Sequence, residues 1–336
     1  MRAFANRSPR SVQEAVSSVQ VALGEGRSAH FTGGGTDLLQ LVKDHIPNRP
    51  GLGEPDLLVN LKSVPGLDRI ESTPGGGLSI GGLVTLSALV EHPTVRERFA
   101  AIAQAAEVVA TPQIRNAGTV GGNLAQRPWC WYFRNGFPCF KAGGDRCYSA
   151  GGENQLHAIL GGGPSYIVHP SDLAPAFVAM GATFRVVGAA GERRVQAPDF
   201  FVSPRTDALH ENVLADDEVL VGVDVPAPQP GTRSTYHKVM DREAWTHALS
   251  SAAVVMEMDG DVCRRARIVL GGVAPIPWRV PAAEALLAGR RVTPEIAREV
   301  GATAVAGARP LAKNAYKVPL TRAVVERTVL ALAASA

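Results

Sequence analysis

Ala29-His30-Phe31-Thr32-Gly33-Gly34-Gly35-Thr36-Asp37-Leu38-Leu39-Gln40-Leu41 reads as a short apolar strand, a glycine loop and the start of a helix. Glycines let a backbone approach a ligand closely and aim successive N–H groups at its oxygens, and a helix start adds partial positive charge. The loop can therefore hold phosphate. It is neither GxGxxG nor GxxxxGK[ST], which argues against the dinucleotide fold of the common dehydrogenases and against a P-loop. Taken alone it reads equally well as a glycine turn with no ligand.

Working outward, Val12 to Gly24 has helical spacing at Val16, Val19 and Leu23, with Ser11 placed to cap it and Glu14 three residues on. Leu57 to Leu61 and Leu78 to Ile80 read as strands, and Thr85 to Leu89 and Thr94 to Val109 as helices. A second glycine loop follows, Thr111-Pro112-Gln113-Ile114-Arg115-Asn116-Ala117-Gly118-Thr119-Val120-Gly121-Gly122-Asn123-Leu124. Two such loops suggest a dinucleotide held between them. From Gly118 to Gly163 periodicity gives way to Gly, Pro, aromatics and cysteines, the texture of a loop-rich insertion. Tyr166 to Val168 then reads as strand, Ser171 to Met180 as helix and Thr183 to Val187 as strand. Pro226-Ala227-Pro228-Gln229-Pro230-Gly231 is the best domain boundary. Beyond it, Ser250 to Met258 and Ala266 to Leu270, split by Asp259-Gly260-Asp261, form a predicted hairpin. Helices over Pro281 to Leu287, Thr293 to Ala306 and Thr321 to Ala334 complete a small α+β unit.

The chain has 336 residues, enough for two domains. Its 46 % hydrophobic content excludes disorder, and Lys+Arg 34 against Asp+Glu 31 gives no polyanion-binding surface, so nucleic acid is not an expected partner. Met1 to Gln20 carries Arg2, Arg7 and Arg10 without the apolar core of a secretory signal, and no apolar run is long enough for membrane insertion. The expected compartment is the cytoplasm, or the periplasm if a partner carries the export signal. Neither a hydrolytic triad nor an HExxH pair is present.

FTGGGTDLL, IGGLVTLSAL (80–89), IRNAGTVGGNL (114–124), HPSDLAPAFVAMGA (169–182) and YHKVMDREA (236–244) occur in the order found in the FAD-binding medium subunit of molybdenum hydroxylases. The chain resembles that family, which includes xanthine and carbon monoxide dehydrogenases and aldehyde oxidoreductases, over about residues 3–333. The resemblance implies an α+β fold: a two-lobed FAD-binding domain of PCMH type over 1–225, with an insertion near 125–165, then a carbon monoxide dehydrogenase flavoprotein C-terminal domain over 232–334. It implies that Thr32, Gly33, Gly34, Gly35, Thr36, Asp37 and Leu38 cradle the pyrophosphate. Thr111 with Gly118, Thr119, Gly121, Gly122 and Asn123 would form the second FAD loop. Asp172 would hydrogen-bond the cofactor and Lys238 would lie near the flavin. On pattern alone Asp172 could instead be a helix N-cap or first-turn acid and Lys238 a solvated surface lysine.

Cys130, Cys139 and Cys147 fall within eighteen residues, whereas Cys263 stands alone. Spacings of eight and seven suit thiolate ligation of an iron–sulfur cluster better than zinc, which favours CxxC knuckles. Free cysteines in an aromatic-rich loop are the alternative. Arg127-Pro128-Trp129-Cys130-Trp131-Tyr132-Phe133-Arg134 resembles the [4Fe–4S]-binding insertion in the flavin subunit of periplasmic-type aldehyde oxidoreductases and of 4-hydroxybenzoyl-CoA reductase, the former being closer. In those relatives a fourth cysteine lies seven residues before the Asp of the Ser-Asp motif, and here that position is Ser165. Ser165 is therefore the expected fourth ligand, with His157 as the alternative. The resemblance implies an electron-transfer subunit that passes electrons from iron–sulfur centres through FAD to an external acceptor. Its partners would be a large molybdenum-cofactor subunit and a small [2Fe–2S] subunit. A flavin-free iron–sulfur scaffold and a self-contained FAD oxidase are the alternatives.

Overall fold

The computed structural model describes residues 3–47, 53–243 and 247–334, so that Met1, Arg2 and Ala244 of the stretches quoted above lie outside the described residues. The chain begins with a parallel sheet in the order β1 (Ala5–Arg7), β3 (Leu57–Asn60), β2 (Ala29–Thr32). The helix Val12–Gly24 lies on it, buried through Ala15, Val16, Val19 and Ala22. Ser11 caps this helix as expected, its hydroxyl accepting from Glu14 N at 3.1 Å.

The second lobe is an antiparallel sheet, β4 (Ile70–Ser72), β5 (Leu78–Gly81), β8 (Val219–Val225), β6 (Thr183–Gly188), β7 (Gly191–Gln196), in that spatial order. Helices over Leu86–Glu91, Pro93–Arg98, Ala100–Glu107 and Leu173–Met180 supply its core. The expected single helix over 94–109 breaks at Phe99, whose backbone leaves the helical region (φ −131°, ψ 45°) as its ring is fully buried. Tyr166 to Val168 is not a strand. That stretch is fixed from two sides instead, Tyr166 O accepting from Ala158 N and His169 N donating to Ala274 O.

The third sheet runs β9 (Thr232–Val239), β10 (Ser250–Asp259), β11 (Val262–Gly271), β12 (Trp278–Arg279), with β13 (Arg290–Arg291) also on β11. The predicted hairpin is the β10–β11 pair. Both its faces are buried: Ala253, Val255 and Val269 join the second-lobe core. Ala252, Val254, Met256, Ile268 and Leu270 pack against the helices Pro294–Ala304 and Lys317–Ala334. Double burial gives β10 the continuous apolar run Ala252 to Met256, whereas β11 exposes Arg264 and Arg265 near the turn. The last helix starts at Lys317 rather than Thr321. Among the described residues no helix is long and apolar enough to cross a membrane.

Candidate functional site

The two glycine loops interlock. A Cβ on Gly34 would stand 2.1 Å from Ala117 O, backbone of the second loop, so the close approach that requires glycine here is of loop to loop. Gly35 takes φ +75°, a left-handed conformation that L side chains rarely adopt. Among the described residues the amides of Gly33, Gly34, Gly35 and Thr36 donate to no protein acceptor. They line a cavity of about 180 Å³ together with Thr32, Asp37, Leu38, Thr119, Gly121 and Gly122. Convergent, unspent N–H donors are what an anionic pyrophosphate needs. The helix that follows, Leu38–Lys43, has only six residues, so these amides rather than a helix dipole make the cradle.

A second cavity of about 70 Å³ adjoins the first, sharing Thr36, Asp37, Thr119, Gly122 and Gln126 with it. Leu86, Val109, Ile114 and Trp129 give it apolar walls, and Asn123, Asp172, Lys238 and His247 its polar ones. The sequence alternatives fare differently here: Asp172 does stand at the start of the helix Leu173–Met180, whereas Lys238 is not on the surface. Asp172 makes no side-chain cap bond, and the capping of that helix falls to Ser171, whose hydroxyl accepts from Ala174 N at 3.0 Å. Lys238 is no surface lysine: its side chain is 1 % exposed, and Nζ donates to Asp172 Oδ2 at 2.8 Å and to Val108 O at 3.0 Å. Asn123 Oδ1 accepts from Ser171 Oγ, which ties the second loop to the Asp172 turn. Thr111 lines neither cavity and instead caps the helix Pro112–Ala117, accepting from Ile114 N at 3.4 Å. The slot as a whole, a backbone anion cradle continuing into an apolar pocket with a buried ion pair, fits a flavin dinucleotide.

Asp37 faces the cradle, where a bare carboxylate would repel pyrophosphate. Its oxygens are occupied, Oδ1 accepting from Arg134 Nη2 at 2.7 Å and Oδ2 from Arg127 N at 3.0 Å. Asp37 thus fastens the insertion to the first loop. Deeper, Glu211 pairs with Arg127 at 3.1 Å and with Lys141 at 3.0 Å, all three side chains at most 5 % exposed. Burial lowers the Lys141 pKa, against the pull of Glu211. Arg134 also lies 4.2 Å from the Trp129 ring centroid, and Arg127 4.8 Å from that of Phe133.

The three clustered cysteines are free thiols, close enough for Cys139 and Cys147 to affect Cys130, whose pKa burial pushes up to about 12. Among the described residues no group of three or more His, Cys, Asp or Glu is arranged to hold a metal ion. The donor chemistry suits a cluster, but the geometry does not close around one. Cys130 Sγ lies 3.2 Å from His157 Nε2, and burial lowers the His157 pKa to about 4, leaving a neutral ring. Ser165 is buried, and among the described residues no hydrogen bond joins its hydroxyl to a cysteine. Residues 156–158 are gripped from the C-terminal part: Lys317 Nζ donates to Leu156 O (2.9 Å), His157 O (3.3 Å) and Gly272 O (2.7 Å). Asn314 Nδ2 adds bonds to His157 O and Ala158 O. Burial holds the Lys317 pKa down to about 7.

Sequence reasoning passed over Glu211, His247 and Tyr236. Glu211 and His247 carry no local signal, because they reach the site from distant loops. Tyr236 did carry one, since it stands two residues before Lys238 on a strand and so shares its face.

Residues 2–228 match the family described as the FAD binding domain in molybdopterin dehydrogenase, and residues 235–332 match the CO dehydrogenase flavoprotein C-terminal domain. The chain is 36 % identical to the aldehyde oxidoreductase FAD-binding subunit PaoB of Escherichia coli K12, over 96 % of each chain. It is 29 % identical to the carbon monoxide dehydrogenase medium chain of Hydrogenophaga pseudoflava, over 91 % of this chain and 88 % of that one. A solved structure of carbon monoxide dehydrogenase from that organism superposes with a TM-score of 0.75 at 27 % identity, covering 99 % of this chain and 97 % of the other.

Proposed function

Because the chain belongs to the FAD-binding subunits of the molybdopterin dehydrogenases, we propose that it is the flavin subunit of an aldehyde-oxidising molybdenum hydroxylase. FAD binding and electron transfer within such a complex follow from family membership, and the aldehyde substrate is inferred from the likeness to PaoB. In this reading a large molybdenum-cofactor chain oxidises the substrate, and a small [2Fe–2S] chain relays the electrons. The observation that carries it is the continuous slot built from both glycine loops and ended by the Asp172–Lys238 pair.

The chain's own contribution is binding, orientation and electrostatics, while FAD, when bound, couples single-electron donors to two-electron acceptors. The amides of Gly33 to Thr36 hold the pyrophosphate, and the first loop keeps its shape because Gly34 abuts Ala117. Asp37, neutralised by Arg134, adds no repulsion. Trp129 and His247, their ring centroids 5.1 Å apart, wall the apolar pocket and restrict water.

The insertion is proposed to hold a [4Fe–4S] cluster on Cys130, Cys139 and Cys147, with Ser165 or His157 as the fourth ligand. The three cysteines within eighteen residues of the insertion support it, and the contact of His157 with Cys130 favours the imidazole. Co-expression with the partner chains and purification under argon tests both parts. Stoichiometric FAD, molybdenum only on the large chain, aldehyde-dependent reduction of a dye and about four irons on this chain are expected. Ser165→Cys leaves the iron count unchanged and alters the potential if serine is the ligand, whereas His157→Ala alters it if histidine is. A complex lacking FAD would overturn the flavin assignment, one turning over purines but no aldehyde the substrate, and a flavin-loaded chain without iron the cluster alone.

A further inference from the structure

Tyr236 and Lys238 project to the same side of β9 with exposed His237 between them, and both reach Asp172. Lys238 Nζ donates to Oδ2 at 2.8 Å, and the Tyr236 hydroxyl donates to Oδ1 at 2.6 Å. Asp172 and Lys238 line the second cavity, whereas Tyr236 stands behind the carboxylate and does not. Burial and the neighbouring Asp172 raise the phenol pKa well above its ordinary value, so the hydroxyl stays a donor throughout the working range of pH. The remainder of Tyr236 is held independently: its ring belongs to the second-lobe core and its N–H donates to Gln104 Oε1 at 2.8 Å.

We propose that Tyr236 is a positioning residue that sets the reduction potential of the flavin through Asp172. The proposal rests on the reading that the isoalloxazine ring occupies the second cavity. The carboxylate puts negative charge on that cavity's wall, balanced on one oxygen by an ammonium and on the other by the phenol dipole. In a dry site such dipoles are weakly screened, and bonds to ionised acceptors are roughly twice as strong as neutral ones. Reduction adds negative charge to the ring, so whatever compensates Asp172 favours the reduced form. Losing the hydroxyl uncovers Oδ1, raises the negative potential in the cavity and lowers the flavin potential.

The test is spectroelectrochemical titration of the FAD-loaded chain in its complex. Tyr236→Phe keeps the ring packing and the backbone bond, so FAD should remain stoichiometric. The reduced-to-oxidised ratio at a fixed applied potential should fall about fivefold, part of the worth of a hydrogen bond to a charged group. Global replacement of tyrosine by 3-fluorotyrosine, a stronger donor of nearly the same shape, should raise the ratio. It carries the test alone if the phenylalanine variant does not fold, and the other tyrosines line neither cavity. A merely structural tyrosine would lower the melting temperature and leave the potential unmoved. Stoichiometric FAD with an unmoved ratio in either protein overturns the proposal and spares the flavin assignment. A wild-type chain that takes up no FAD overturns both.

Discussion

The glycine loops and the cysteine insertion meet at Asp37, yet they are held in place by opposite means. The loops are fitted backbone to backbone, with Gly34 seated on Ala117 O and no side chain between. The insertion hangs on side chains: Arg134 on Asp37, Arg127 and Lys141 on Glu211, and cationic groups stacked on Trp129 and Phe133. A geometry made by backbone stands before any ligand arrives and fails on the addition of one atom. A geometry made by side chains depends on their ionisation and weakens by degrees.

The largest effect is expected from Gly34→Val, which drives a Cβ into Ala117 O and parts the loops. Such an overlap should cost more than about 3 kcal/mol of FAD binding, over a hundredfold in affinity, and the purified chain should lack the flavin absorbance bands. On the insertion side, Glu211→Ala removes the buried carboxylate that balances Arg127 and Lys141, which should destabilise the chain by about 3–5 kcal/mol in denaturant titration. A loss below about 1 kcal/mol would mean that the ions do not hold the insertion as described. Acid separates the regions less sharply. Burial lowers the His169 pKa to about 4 from the ordinary 6.5. Between these values the unfolded chain binds the proton first, so this contribution is complete above pH 6.5 and is lost as pH falls towards 4. His169→Phe should flatten the stability–pH curve there by up to about 3 kcal/mol. The smallest change sets the baseline: Arg298→Ala removes an exposed pair with Glu295 and should leave the denaturant midpoint unmoved.

The same contrast governs what could be read from the sequence. The helix Val12–Gly24, the strand Ala29–Thr32 and the β10–β11 pair were legible because their patterns are local, down to the Ser11 cap. The loop residues of the slot were legible because glycines crowd where backbones touch. Strand β8, central to the second sheet, was missed although it is the longest strand there, because its partners β5 and β6 are far away in sequence and no paired segment adjoins it. Asp37 was read as part of the cradle. That it fastens the insertion depends on arginines some ninety residues on, which no spacing rule connects to it. The insertion gave up its composition and not its geometry, since aromatic, ionic and thiol contacts leave no periodic trace.

Lys317 spends all three of its protons on carbonyls, two of them from the 156–157 stretch of the insertion, and it does so from the chain's last helix. A protease that nicks the proline-rich segment at 226–231 would therefore not release two independent bodies. The final hundred residues supply Lys238 and Tyr236 to the slot and hold the insertion shut, so heating should melt the molecule in one cooperative transition. The proline-rich segment marks a joint in the sequence without being a seam in stability.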